Sequence, residues 1–158
     1  VRALDFLIVY RPEKAYDMIA AYGEQGRRYY ATIAPTLDTV FPLLSSSAFV
    51  LTIARVFRRA FTREGVLHRA LFVPVGAMVA DLLENAGIVT MLLNHPRELR
   101  GVALLTSSFS TVKWTAVAAE TVLVVIGMAA WAVRAVRGRI EDAPGDQNQR
   151  GLPDSRDT

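Results

Sequence analysis

Three polar residues, Asp81, Glu84 and Asn85, stand at i, i+3 and i+4 inside an otherwise apolar stretch. On a helix that spacing puts all three on one face. Lys113 and Glu120, seven residues apart in a later apolar stretch, share a face of a second helix. Asp38 lies one turn before Pro42 and can join them through the bend that a proline opens. Ser107, Ser108, Ser110 and Thr111 add hydroxyls on the approach to Lys113. Carboxylates and one amine so arranged could form ion pairs, bind a small molecule or lipid head group, or relay protons. A purely structural role competes on equal terms: Lys113 neutralises Asp81 or Glu84, and Asn85 and the hydroxyls close the remaining hydrogen bonds.

Other chemistry finds little support. The chain has no cysteine, so disulfides, thiol catalysis and thiolate metal sites are excluded. Two histidines, His68 and His95, are too few and too far apart for a histidine metal centre. There is no GxSxG, HExxH, P-loop or GxGxxG motif. Asp81 and Glu84 could act as an acid/base pair, but no nucleophile stands at a matching spacing. No cofactor and no metal are expected.

The elements that must position these residues are long and apolar. Of 158 residues, 52% are hydrophobic and only 21% charged, with a mean hydropathy of +0.27. A water-facing domain of this size carries more charge. Residues 31–54, 70–93 and 102–133 form three apolar segments. The first two contain 24 residues each, about 36 Å of helix against a hydrocarbon core of about 30 Å. The longest run without a charge is Thr39–Ala54, 16 residues, just under the usual length for an independent span. The segments carrying two charges each should therefore insert together, with their charges paired. Counted inward from the outer ends, Asp81 lies about 18 Å deep and Lys113 about 15 Å, which suits an ion pair across an antiparallel hairpin.

Before these segments, residues 1–11 form a short apolar stretch whose periodicity does not separate strand from helix. Pro12 then opens an amphipathic surface helix over about 12–30, with Ala15, Met18, Ile19 and Tyr22 on one face. Gly23 and Gly26 mark a bend in it. Arg27, Arg28, Tyr29 and Tyr30 suit a membrane–water interface. His95 and Pro96 lie in the turn joining the second and third segments. Gly76 and Ala80 form a small-xxx-small pair that permits close helix packing, although ordinary helix composition is the better explanation of it. Residues 138–158 are polar, rich in Pro and Gly, and read as a disordered tail.

The formal charge is +3, and the basic residues stand at the ends of apolar runs. Arg55, Arg58, Arg59, Arg63 and Arg69 bracket one connection, and Arg134, Arg137 and Arg139 close the last run. This is the distribution a positive-inside bias produces, not the single basic face of a nucleic-acid binder. It puts 55–69 and the C-terminal tail in the cytoplasm and the N-terminal region and the 94–101 turn outside.

YRPEKAYD (10–17), GRRYY (26–30), DTVFP (38–42), DLLEN (81–85) and TVKW (111–114), in that order, resemble stretches of a group of uncharacterised bacterial multi-pass membrane proteins. The similarity covers roughly residues 4–136. It implies a four-helix bundle in the bacterial inner membrane in which Asp38, Asp81, Glu84, Asn85 and Lys113 recur. It brings no activity and no cofactor. Here the first span, expected before Leu4, is missing, as in a truncated chain or a gene start placed late.

The fold expected is thus an all-helical membrane bundle, with three spans and an N-terminal interfacial helix forming one domain over 1–137. Its partner is the lipid bilayer, with a small-molecule or lipid ligand or another membrane protein at the polar cluster. The alternatives are an intramembrane enzyme using Asp81 and Glu84, and a soluble helical ligand-binding bundle.

Overall fold

A computed structural model describes residues 3–61 and 64–141, and these form helices and connections without strands. Leu4–Phe6 is a short 3-10 turn, followed by α1 (Pro12–Ala21), α2 (Gly23–Ala60), α3 (Glu64–Asn94) and α4 (Arg100–Glu141). Pro12 occupies the start of α1, where its missing N–H leaves no hydrogen bond unmade.

The bounds differ from expectation in three places. The surface helix does not run through 12–30: it ends at Ala21, with Tyr22 as its C-cap, and Gly23, at a positive φ of 65°, starts the next helix. Residues 23–30 belong to α2, which continues through both Pro35 and Pro42. The Arg-rich connection is mostly helical, since α2 reaches Ala60 and α3 starts at Glu64; Arg63 lies outside the described residues. The boundary expected at 138 falls inside α4, whose 42 residues extend to Glu141. That is about 63 Å of helix, twice a hydrocarbon core. The rest of the expected tail, residues 142–158, lies outside the described residues.

Among the described residues, three helices are long and apolar enough to cross a membrane: Pro35–Ala60, Gly65–Asn94 and Arg100–Arg139. Their arrangement inverts the usual inside and outside of a water-soluble fold. Glu84 is 0% exposed and Glu120 2%, whereas Phe41 is 71% exposed and Phe72 74%. A continuous apolar exterior over buried charge is stable against hydrocarbon and unfavourable against water.

α3 and α4 pack as an antiparallel hairpin. On α3 the buried face runs through Ala77, Ala80, Glu84, Ile88 and Met91; on α4 it runs through Ala103, Thr106, Ser110, Lys113 and Glu120. Both follow the three-and-four spacing of a helix packed along one stripe. Small residues let the two backbones approach. A side chain at Gly87 would collide with Thr106, so this glycine marks the closest crossing. Gly76, half of the small-xxx-small pair, faces open space, so that motif is ordinary composition here.

The apolar face of α1 is covered by protein. Ala15, Tyr16 and Ile19 pack with Ile88, Met91, Leu92 and Ala103 at the end of the hairpin. The Tyr16 hydroxyl accepts a hydrogen bond from the Leu99 amide at 2.5 Å, tying α1 to the turn before α4. At the opposite end, Arg134 Nη1 donates to the Ala60 carbonyl at 2.9 Å, and the Arg59 guanidinium lies 5.1 Å from the centre of the Trp131 ring. These contacts join the ends of α2 and α4.

Candidate functional site

The sequence-predicted residues assemble around Lys113. Its Nζ lies 2.5 Å from Glu84 Oε2 and 3.3 Å from Asp81 Oδ1. The lysine thus takes both acids of the DLLEN turn, so the ion pair expected across the hairpin forms.

Asn85 acts by a route that Pro42 dictates. A proline has no N–H, so the carbonyl four residues earlier loses its helical partner. That carbonyl belongs to Asp38, and Asn85 Nδ2 donates to it at 2.9 Å. Asn85 Nδ2 also approaches Asp81 Oδ1 at 3.4 Å. Asp38 therefore joins through its main chain. Asn85→Leu keeps the volume and removes the donor. It is expected to lower stability by about 1–3 kcal/mol, the cost of a buried unsatisfied carbonyl. Unfolding in a denaturing-detergent titration measures this, and an unchanged midpoint would show that the Asp38 carbonyl has another partner.

Glu120 shares the Lys113 face of α4 but stands away from the ion pairs. It is almost fully buried, and its Oε1 has no hydrogen-bond partner among the described residues. The Trp114 indole N–H is also buried and unpaired there, with the ring centre 5.5 Å from Lys113 Nζ.

Sequence reasoning missed the N-terminal segment. Residues 7–10 form an irregular segment along α4, bent at Ile8 and Val9, and hydroxyls of α4 take up its backbone groups. Ser107 Oγ accepts from the Tyr10 amide at 2.9 Å, Ser110 Oγ donates to the Leu7 carbonyl, and Thr111 Oγ1 donates to Ile8 at 3.0 Å. Lys113 Nζ reaches the Asp5 carbonyl at 3.2 Å. The hydroxyls expected to line an approach to Lys113 thus hold this strap in place. Ser108 does not take part; it is exposed and bonds the Leu104 carbonyl of its own helix. The one signal in the sequence was Asp5, the single acid in the run from Ala3 to Tyr10.

The strap's acid is anchored from α2, where the Tyr30 hydroxyl donates to Asp5 Oδ1 at 3.0 Å. Burial, then the Asp5 charge and this bond, push the Tyr30 phenol above its ordinary pKa. Burial, with the Glu84 and Asp5 charges, does the same to Tyr10. Because the folded value is raised, the stabilisation is complete below the ordinary phenol value of about 10 and is lost as pH climbs past it. The thermal transition of the wild type should fall between about pH 10 and 11, and Tyr30→Phe should flatten that fall. Equal slopes in both proteins would remove Tyr30 as the cause.

A cavity of about 700 Å³ lies beside the ion pairs. α3 forms its floor with Ala77, Met78, Asp81 and Asn85, while α2 and α4 form the walls and Asp5 and Phe6 the end. The walls close further along, where a side chain at Gly127 would meet Val56 Cγ1 at 2.7 Å. The exposed Phe41 and Leu44 are among the lining residues contributed by α2. Among the described residues, no group of His, Asp and Glu could hold a metal ion.

No protein-family model, curated protein or solved structure matches the chain. Fold and site together define a candidate three-span helical membrane protein with buried Lys113–Glu84 and Lys113–Asp81 salt bridges.

Proposed function

We propose that this is a multi-pass protein of the bacterial inner membrane that binds an amphipathic small molecule or lipid in the cavity between α2 and α4. The observation that carries the reading is the cavity itself: mostly apolar walls, a few convergent polar groups, and the exposed Phe41 and Leu44 among its lining residues. Ligand sites combine apolar walls with a few placed polar groups, and lining residues exposed on the apolar exterior suit a ligand that comes from the bilayer. The apolar exterior favours hydrocarbon over water and so weighs against a soluble bundle. An intramembrane enzyme is less well supported, because Glu84 and Asp81 are both engaged by Lys113. The Arg-rich ends of α2 and α4 support an orientation with 55–69 and the C-terminal end in the cytoplasm.

Two measurements test this. The protein should stay with membranes through an alkaline carbonate wash; release would end the membrane reading. Mass spectrometry of protein extracted in native nanodiscs should find an amphiphile retained by the wild type and lost in Val117→Trp, which fills the cavity. Equal content in two proteins of equal thermal stability would remove the cavity as the binding site.

A further inference from the structure

We infer that the cavity receives the positively charged head of an amphipathic amine, with Glu120 as the carboxylate that meets it. This rests on the ligand-binding reading above and names the ligand's charge. Four carboxyl groups line the cavity, those of Asp5, Asp38, Asp81 and Glu120, and Lys113 is the sole basic side chain among the lining residues. That lysine is already held by Glu84 and Asp81, so it has little charge left to offer an anion. An anionic head would meet uncompensated carboxylates, whereas a cation would reduce the excess of negative charge.

Glu120 supplies the independent observation. It is 98% buried, taking its exposure of 2% from the whole, and it stands midway along the candidate span Arg100–Arg139. Its Oε1 lacks a hydrogen-bond partner, and among the described residues no cation lies within ion-pair distance. Buried carboxyls are ordinarily paired. A structural ion pair would have been closed by the protein, as it is at Glu84. An ammonium group provides both the charge and the donors that Glu120 lacks. Phe41, Phe49, Met78 and Val117 offer apolar surface for a hydrocarbon tail.

The test uses the full chain in nanodiscs with three probes of equal chain length, dodecylamine, dodecanol and dodecanoate, after subtraction of uptake by protein-free discs. The wild type should bind dodecylamine saturably and about tenfold more tightly than dodecanol, the factor one charge-assisted hydrogen bond supplies. Dodecanoate should bind more weakly than dodecanol. Glu120→Gln should abolish the preference for the amine while leaving dodecanol binding and the thermal transition in place. Dodecanoate binding as tightly as the amine, or no preference among the three, would overturn the charge assignment and leave the ligand-binding reading standing. Saturable amine binding unchanged in Glu120→Gln would overturn the role of Glu120. Binding of none of the probes would overturn the inference together with the reading beneath it. The ranking of probes on the wild type decides the charge without any variant, should Glu120→Gln fail to fold.

Discussion

Lys113→Met is expected to destabilise the folded protein by about 3–5 kcal/mol, the range for stranding buried charge by removing one partner of an ion pair. The size follows from the geometry. The lysine is the common partner of Asp81 at 3.3 Å and Glu84 at 2.5 Å, and the Glu84 side chain is fully buried. Removing the amine leaves two carboxylates side by side in a low-dielectric interior, where each disfavours the other's charge. It also withdraws the donor that reaches the Asp5 carbonyl, loosening the strap from α4. The combined variant Lys113→Met, Asp81→Asn, Glu84→Gln removes the stranded charges and should regain part of the loss. Thermal unfolding in detergent or nanodiscs reads both effects. A single variant as stable as the wild type would mean that the pairing contributes nothing. A triple variant weaker than the single one would place the defect in packing and not in charge.

Gly87→Val is expected to cost about 1–3 kcal/mol by overpacking the α3–α4 crossing. The first added carbon would collide with Thr106 Oγ1 and stand only 3.0 Å from its Cβ and 3.1 Å from its Cγ2. Thr106 has little room to yield: it is 1% exposed, and its hydroxyl bonds the Val102 carbonyl at 2.7 Å. The helices must separate, and Lys113 moves with α4 away from Glu84. Gly76→Val on the same helix is the control, because nothing lies within 4 Å of a side chain built there. Its stability should change by no more than about 0.5 kcal/mol. Equal losses at both positions would attribute the effect to helix propensity and not to the crossing.

The contrast between these glycines shows how much of the molecule can be read from its residues. Two apolar segments carrying charges at matched depths imply that Asp81, Glu84 and Lys113 meet, because unpaired charge is unfavourable in hydrocarbon. The bend at Pro42 points toward Asp38 for a similar reason. Which glycine marks a close approach is a different matter. It depends on the rotation of α3 about its axis, and the pattern G-x-x-x-A at 76–80 is blind to that. The strap was hidden for another reason. Non-helical backbone often finds its partners in a neighbouring strand, at a spacing that alternation reveals. Here the partners are serine and threonine side chains about a hundred positions later in the chain. Glu120 was legible as a member of the Lys113 face, yet its lack of a partner emerges only when every neighbouring group has been placed.

That distance along the chain also sets an order of assembly. Residues 5–10 are synthesised about a hundred positions before the groups that bind them, Ser107 to Lys113. Until those groups are made, the strap's amides and carbonyls must remain hydrated or be met by other partners, since bare peptide groups are costly in lipid. The strap is therefore late to settle, and it closes over the lysine only when α4 has threaded past it.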